Sequence, residues 1–454
     1  MGDRENGSAG LAAAAEPLRG LRGWARMRSV RLAFAALLVV LQLAVVVAEG
    51  KRQGKAWNAF PGEPPTSHGA LDRTPMRWNR LIVSRWDAQH YLDIALNGWV
   101  CPGNGKVRAS LLSCNTHFFA GYPLLARAVM RLTRLPVDYA MLAVSIASAL
   151  AFFYLFTDRA VMRATGVLGA YLALTLWAAF PWAFVVVTPH TEATFFALTL
   201  GAFVALDRRR LVLAGVLAGA ASGIRVHGVT TTLACAFAVL ALTFVEPPRT
   251  RRAWGERALA VLVSGWGIVA MVAYDAWKFR DPFLYTHVHQ GIYGYTPALR
   301  KLLDPSQYVR HWAMPTHDVV FFVAMLVAFL AGARRVLGRF DAPARAFWLV
   351  SFFGVLLVTL PLTLQRALEG QTRYTLELLP AFFCAGGLLE AAPLAFVLIA
   401  YFCSWHTRAY DSCVYIGGPP YLGGAGHLVC GNPDKGDFRA PVVKSDFGRV
   451  PPPR

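Results

Sequence analysis

Long apolar stretches recur along the chain, and polar or basic segments separate them. Most of these stretches are long enough to cross a hydrocarbon core of about 30 Å as a helix. The pattern therefore predicts an all-α polytopic membrane protein with a bundle of about 10–11 transmembrane helices. The candidate spans are residues 31–49, 137–156, 164–186, 190–206, 211–224, 228–246, 258–277, 316–333, 345–364, 373–391 and 392–405.

Two shorter amphipathic segments lie between the first two spans. In 84–99 the apolar residues recur three or four positions apart, which places them on one face of a helix. They are Ala88, Tyr91, Leu92, Ala95, Leu96 and Trp99. In 115–135 a second apolar stripe is opposed by Arg127, Arg131 and Arg134. The first helix, at about 12 residues, is too short to span a bilayer, and the second is amphipathic and basic, so we expect both to lie in the membrane interface.

The distribution of basic residues predicts the orientation of the bundle, because cytoplasmic loops carry an excess of Lys and Arg. The N-terminal tail, residues 1–30, is basic and is predicted to be cytoplasmic. Alternation of the spans then places four further loops on the same side, and all four are basic. They are 157–163, 207–210, 246–257 and 332–340. This orientation requires two separate helices on either side of Arg225.

The predicted domain organisation follows from the same pattern. A transmembrane domain covers 31–405, and it includes a long first exoplasmic loop at 50–136. A Gly/Pro-rich tail covers 406–454. Polar and ionisable residues gather in the segments that alternation places on the exoplasmic side. These segments are 84–99, 188–192, 224–227, 279–295 and 364–374. Ionisable groups near the membrane are costly, so their concentration at one end predicts a functional site there.

The composition agrees with a membrane protein: 56% of the 454 residues are hydrophobic and 16% are charged. A soluble domain carries about a quarter charged residues. The formal charge of +19 would suggest a nucleic-acid partner in a soluble protein. Here the basic loops on the cytoplasmic side account for the charge, and some can bind anionic membrane lipid. We therefore predict no nucleic-acid partner.

Asp87 is the most conspicuous candidate for chemistry. It follows Ser84 at the spacing of a capping box, so one interpretation is a helix N-terminal cap. The second interpretation is a general base, because a carboxylate beside Arg85 at a helix N-terminus stays ionised at neutral pH. We predict no metal site, and we interpret His287 and His289 as pocket-lining residues rather than zinc ligands.

Several segments, taken in order, carry a resemblance to a known family. They are "RWDAQHYLDIALNGW" (85–99), "HFFAGYPLLAR" (117–127), "TPHTEATFFALTLGAFVAL" (188–206), "LAGAASGIRVHGV" (217–229), "RDPFLYTHVHQGIYG" (280–294) and "TRYTLELLPAF" (372–382). Their order resembles the GT-C class of glycosyltransferases. Within that class they resemble the PIG-V family, the second mannosyltransferase of GPI-anchor assembly, and its bacterial relatives. Ala120 and His190 depart from the family pattern.

The resemblance implies a glycosyltransferase that moves mannose from polyprenyl- or dolichyl-phosphate mannose to a lipid-linked glycan acceptor on the exoplasmic face, with inversion. It implies no cofactor, because the donor is a lipid-phosphate sugar. The implied home is a bacterial inner membrane, or the endoplasmic reticulum in a eukaryote. A small partner subunit in the membrane is left open. Other readings are a GT-C enzyme that uses a different sugar and, in a different class, a lipid or sugar transporter.

The resemblance also implies roles for particular residues. Asp87 is expected to be the general base that deprotonates the acceptor hydroxyl. Arg225 and Arg373 are expected to bind the leaving phosphate, and Glu192 to contact the sugar or the acceptor. The residues expected to shape the sugar pocket are Arg85, Trp86, His90 and Tyr122.

Overall fold

The computed structural model describes residues 23, 27–57, 87–100, 115–293, 317–364, 371–392, 394–403, 420–422 and 428–430. The first helices are α1 (Arg28–Trp57), α2 (Asp87–Asn97), α3 (Gly121–Thr133), α4 (Val137–Phe156), α5 (Arg159–Thr165) and α6 (Val167–Ala179). A 3-10 turn (Ala183–Val187) precedes α7 (Glu192–Asp207), α8 (Leu211–Ile224), α9 (Gly228–Val245), α10 (Arg251–Val263), α11 (Trp266–Phe279) and α12 (Leu284–Tyr293). The last helices are α13 (His317–Val336), α14 (Ala342–Leu364), α15 (Gln371–Thr375), α16 (Leu379–Leu389) and α17 (Leu394–Cys403), with a 3-10 turn (Leu337–Arg339) after α13. Two short antiparallel strands, β1 (Pro420–Leu422) and β2 (Leu428–Cys430), complete the described chain.

The helical architecture confirms an all-α polytopic membrane protein. Within the described residues, five helices are long and apolar enough to cross a membrane, or seven if two bent helix pairs each count as one span. Helices α8, α16 and α17 are apolar but shorter. The sequence predicts about 10–11 spans because it counts such short helices as complete crossings. That larger number stays a prediction.

The expectation of one continuous span at 164–186 is wrong. Helices α5 and α6 meet at an angle of 102° instead of forming one rod. The break lies at Gly166, whose φ of +87° is a backbone conformation that residues with a side chain rarely adopt. The chain then leaves the helical conformation at Phe180 and enters the 3-10 turn. The 258–277 span is also divided, because α10 and α11 meet at 48°.

The loops predicted to share the cytoplasmic side do lie together at one end of the bundle. Asp158 accepts ion pairs from Arg31 and Arg208, at 3.3 and 2.8 Å. Arg209 pairs with two carboxylates from later loops, Glu246 and Asp341. We call this end of the bundle the basic end. Arg31 is buried and paired, so it is a packing residue and not a free loop charge.

The pair of helices around Arg225 is confirmed as α8 and α9, and a stripe of glycines lets α8 pack closely against α10 and α11. Gly215, Gly219 and Gly223 recur every fourth residue along α8. A Cβ atom at Gly215 would lie 2.2 Å from the carbonyl oxygen of Ala260. A Cβ atom at Gly219 would lie 2.5 Å from the carbonyl oxygen of Val263. Small residues at such spacing let helix backbones approach closely within a membrane bundle.

The two helices predicted for the first long loop are present as α2 and α3, although their position in the interface stays a prediction. The predicted buried face of α2 is correct except for Leu96, which is exposed, while Ile94 is buried instead. In α3, Arg127 turns inward rather than toward lipid. Its guanidinium donates to the carbonyl oxygens of Ala95 and Ile94, at 2.7 and 2.9 Å. Arg127 therefore holds the C-terminal end of α2.

Candidate ionic site beside Asp87

Four helix ends bring charged side chains together at the end of the bundle opposite the basic end. The carboxylate Oδ2 of Asp87 lies 2.8 Å from Nη1 of Arg373. The same guanidinium donates through Nε to Oε1 of Glu192 at 2.6 Å, and its Nη2 lies 2.6 Å from that oxygen. One arginine thus bridges two carboxylates that come from α2 and α7.

A second arginine extends this cluster. Nη1 of Arg225 lies 2.6 Å from the same Oε1 of Glu192 and donates to Oγ1 of Thr191 at 2.8 Å. Nη2 of Arg225 lies 3.1 Å from Oε1 of Glu377. Nδ1 of His227 lies 2.9 Å from the other oxygen of Glu377. We call the six residues joined by these contacts the ionic network: Asp87, Arg373, Glu192, Arg225, Glu377 and His227. From Asp87 through Arg373, Glu192 and Arg225 to Glu377, carboxylates and guanidinium groups alternate.

The local sequence explains why these side chains reach one place. Asp87 and Glu192 are the first residues of α2 and α7, where the helix dipole favours a negative charge. Arg225 occupies the break between α8 and α9. Arg373 lies in α15, and Glu377 follows it by four positions. Because these residues sit at helix ends on one side of the bundle, they converge although they are far apart in sequence.

The members of the network differ in their access to solvent. The side chains of Glu192 and Glu377 are 0% exposed, whereas that of Asp87 is 30% exposed. Burial is the largest influence on the pKa of Asp87 and raises it, but the charge and hydrogen bond of Arg373, together with His190, bring the net pKa below its ordinary value. Asp87 is therefore ionised at neutral pH and open on one side. Of the network's three carboxylates, it is the one that a substrate can reach.

Glu192 is a fully enclosed carboxylate. Two guanidinium groups converge on its Oε1, while Oε2 has no hydrogen-bond partner among the described residues. Buried carboxylates are tolerated only when they are paired, and here two arginines supply that pairing. The expected contact of Glu192 with sugar or acceptor stays a prediction.

The remaining predicted site residues have mixed outcomes. Arg85 and Trp86, and the capping residue Ser84, lie outside the described residues. The side chain of Tyr122 is buried, and its hydroxyl bonds the carbonyl oxygen of Met141 and Oγ of Ser145, so its expected role in shaping the sugar pocket stays a prediction. It fastens α3 to α4.

His90 lies one helical turn after Asp87 and belongs to a cluster of rings. Its imidazole stacks on Phe118, with ring centroids 4.4 Å apart, and lies edge-on to His117 at 5.5 Å. His117 in turn lies 5.7 Å from His289, which packs against Tyr285 at 4.5 Å. We call His90, His117 and His289 the imidazole cluster. Its members come from α2, from the segment before α3, and from α12.

His287 does not join that cluster. Its Nδ1 lies 2.6 Å from Oδ2 of Asp281, and its side chain is 57% exposed. Residues two positions apart on a helix point in different directions, so His287 and His289 do not share one face, and the expected place of His287 in the pocket stays a prediction. Among the described residues, no group of three His, Cys, Asp or Glu side chains could hold a metal ion. The absence of a metal stays a prediction.

Sequence reasoning missed three residues of this region: Glu377, His227 and His117. The sequence did carry a signal for Glu377, because Arg373 and Glu377 are one helical turn apart in a largely apolar stretch and could be expected to share one site. His227 follows Arg225 by two positions across a helix break, a spacing that carries no helical signal. His117 lies in a segment before α3 whose conformation no periodicity predicts.

The chain was compared with known proteins by family and by sequence. No protein-family model matches it, and no curated protein matches it either.

Proposed function

We propose that the protein is a membrane glycosyltransferase that moves mannose from a polyprenyl- or dolichyl-phosphate mannose donor to a lipid-linked glycan acceptor. Asp87 is the general base of this reaction. The transfer takes place on the exoplasmic face of a bacterial inner membrane or of the endoplasmic reticulum membrane. The resemblance of the segments around Asp87, Glu192 and Arg225 to the PIG-V family and the GT-C class supports the donor and the acceptor.

One observation carries the proposal: Asp87 is partly open while its two partner carboxylates are sealed. A general base must reach the proton that it removes, and it must be ionised before it acts. Asp87 satisfies both conditions, because its side chain is 30% exposed and Arg373 holds it in the anionic form. A residue that served only as a helix cap would not need an ion pair with Arg373.

The reaction balances with Asp87 as the single base. The acceptor hydroxyl oxygen forms a bond to the anomeric carbon of the donor sugar while its proton passes to the carboxylate of Asp87. The bond between the anomeric carbon and the phosphate oxygen breaks, and its electron pair leaves with the phosphate. A single displacement of this kind inverts the anomeric centre, whereas retention requires a second carboxylate as nucleophile. Glu192 is unsuited to that second role because its side chain is fully enclosed.

The test is transfer of radiolabelled mannose from polyprenyl-phosphate mannose to membrane lipid, with wild-type protein and the Asp87→Asn variant. The matched control is Asp93→Asn, which alters a carboxylate on the same helix. Asp93 accepts hydrogen bonds from Asn97 and Asn115 at 2.8 and 2.6 Å, away from the ionic network. Equal amounts of each folded protein are compared.

We expect transfer by the wild type and by Asp93→Asn, with a loss of about 10²–10⁴-fold in Asp87→Asn, the usual contribution of general base catalysis. Undiminished transfer by Asp87→Asn would reduce Asp87 to a helix N-terminal residue. Absence of mannose transfer by the wild type, with transfer of another sugar from a lipid-phosphate donor, would keep the enzyme class and change the donor.

A further inference from the structure

One buried carboxylate lies outside the ionic network and has no partner among the described residues. It belongs to Asp275, near the C-terminal end of α11, which is 1% exposed. Neither of its oxygens has a hydrogen-bond partner in that part of the chain. Lys278, one helical turn later, directs its Nζ to the carbonyl oxygen of Trp99, at 2.6 Å, instead of to Asp275. A buried carboxylate without a partner is costly in a membrane protein, so Asp275 points to a ligand that supplies the missing donors.

Asp275 lies beside a small apolar cluster that joins α11 to the region around α2. Met271, one turn earlier on the same helix face, is buried in this cluster. We call it the Met271 cluster, and its buried members are Ile94, Trp99, Phe119 and Met271. Three partly buried rings pack against it, those of Tyr274, Phe279 and Tyr285. Apolar and aromatic side chains around a few polar groups are the usual lining of a site for a small organic ligand.

The position of Asp275 relative to Asp87 indicates which part of a substrate it meets. Val226, which directly follows Arg225 of the ionic network, packs against the Met271 cluster, so the two regions lie at the same end of the bundle. Asp87 begins α2, whereas the cluster meets that helix at Ile94. At a rise of about 1.5 Å per residue, Ile94 lies about 10 Å along α2 from Asp87. In the proposed reaction the donor sugar must lie against Asp87, so a ligand group beside Asp275 belongs to a more distant part of the acceptor.

The carboxylate also limits the chemistry of that group. An ionised carboxylate only accepts hydrogen bonds, and it repels a phosphate. A sugar ring offers several neighbouring hydroxyl donors together with apolar C–H faces, which match the carboxylate and the rings around it. The site therefore fits a sugar better than it fits the phosphate of the donor.

We propose that Asp275 and the Met271 cluster bind a sugar of the acceptor glycan at least one unit away from the hydroxyl that Asp87 deprotonates. This inference rests on the proposed function, and it gives that function an acceptor subsite. Because Asp275 is enclosed, the sugar must displace a side chain that covers it. Phe279, one turn later on the same face and only partly buried, is the side chain that we expect to move.

The experiment measures glycan binding without transfer. Radiolabelled octyl mannoside and octyl mannotrioside are bound to the full chain in phosphatidylcholine nanodiscs, with the wild type and with Asp275→Asn. The matched control is Asp281→Asn, which alters a nearby carboxylate that is already 2.6 Å from Nδ1 of His287. Binding of polyprenyl-phosphate mannose is measured in parallel, because a sugar hydroxyl could also come from the donor. Thermal unfolding is recorded for each variant.

We expect the wild type and Asp281→Asn to bind the trioside more tightly than the monosaccharide. Asp275→Asn should bind the trioside about tenfold more weakly, the contribution of one hydrogen bond to a charged group, with its binding of the monosaccharide and of the donor unchanged. It should unfold at a temperature no lower than that of the wild type, because the substitution removes a buried charge that lacks a partner among the described residues.

Three results would overturn the proposal. The first is a trioside that binds the wild type no better than the monosaccharide, or that binds Asp275→Asn as well as it binds the wild type. The second is a loss in Asp275→Asn that affects the donor instead of the trioside. The third is a clearly lower unfolding temperature of that variant, which would make Asp275 a structural residue. Trioside binding that depends on Asp275, without mannose transfer by the wild type, would sustain this site and refute the proposed function. Transfer that depends on Asp87, with trioside binding indifferent to Asp275, would do the opposite.

Discussion

The most informative perturbation is the substitution Arg373→Gln. Among the residues that the structure describes, it removes the charge that pairs with Asp87, at 2.8 Å, and leaves the rest of the surroundings of the carboxylate in place. Burial and the negative charge of Glu192 both raise the pKa of Asp87, and Arg373 is the first of the groups that lower it. Without Arg373 the pKa of Asp87 must therefore rise.

The magnitude follows from the geometry. An opposite charge within about 4–6 Å lowers the pKa of an Asp by about 1–3 units. Because Asp87 must be ionised to act as a base, transfer is lost as the pH falls through its pKa. For the proposed reaction we therefore expect the acidic limb of the wild-type activity profile to lie below 3.8, the ordinary pKa of an Asp. In Arg373→Gln we expect that limb to move upward by about 1–3 pH units.

The assay is the rate of mannose transfer from pH 4 to 8, a range in which the wild type is expected to show no acidic limb and Arg373→Gln to show one. Membranes are returned to neutral pH to verify that each variant survives the acidic exposure. The matched control is Arg225→Gln. Arg225 binds the same oxygen of Glu192, at 2.6 Å, but does not contact Asp87. We expect Arg225→Gln to keep the acidic limb of the wild type even where its rate is lower.

An unchanged acidic limb in Arg373→Gln would refute this reasoning. If that result came with a higher KM for the donor, Arg373 would be a phosphate-binding residue, as the family resemblance implies. A limb that moved equally in both variants would mean that Glu192, and not Arg373, governs the ionisation of Asp87.

Three further predictions concern stability, measured as thermal unfolding in detergent. Glu192→Gln removes the carboxylate that two buried guanidinium groups share, and we expect it to lower the free energy of unfolding by about 3–5 kcal/mol. Gly228→Ala places a Cβ atom 2.0 Å from a carbonyl oxygen of α8 and is expected to cost about 1–3 kcal/mol, whereas Gly255→Ala, with nothing within 4 Å, is expected to be neutral. Asp158→Asn strips the buried Arg31 of its counter-ion at the basic end, so unfolding should occur at a lower temperature while transfer per folded molecule is unchanged. A lower transfer rate per folded molecule in that variant would contradict the separation of the two ends.

The sequence predicted which residues lie at the same end of the bundle, and the reason is physical. A helix that crosses a membrane reverses direction at each turn, so alternation of the spans assigns every loop to an end. Residues 157–163 and 207–210 were placed together on this basis, and Asp158 and Arg208 form an ion pair. Asp87, Arg225 and Arg373 were placed together at the other end for the same reason. Their convergence needed no knowledge of side-chain packing.

The sequence could not predict the pairings within the site. Arg373 and Glu192 are 181 positions apart, and nothing in a hydropathy pattern selects one carboxylate for one arginine. The resemblance favoured phosphate binding by Arg225 and Arg373, whereas the structure gives both of them carboxylate partners. The 102° bend at Gly166 was missed for a related reason, because apolar residues continue on both sides of it and a hydropathy average does not register one glycine.

The ionic network is better understood as a device for function than for stability. Taking charged groups out of water is costly, and well-packed apolar residues of similar volume often stabilise a protein as well as a buried ion pair does. Glu192 and Glu377 are fully enclosed, so they bear this cost without meeting solvent or substrate. Glu377 holds Arg225, Glu192 binds both Arg225 and Arg373, and Arg373 in turn contributes to keeping a partly open Asp87 ionised. A network that encloses every charge except one carboxylate directs its effect at that carboxylate, which is why we place the chemistry at Asp87.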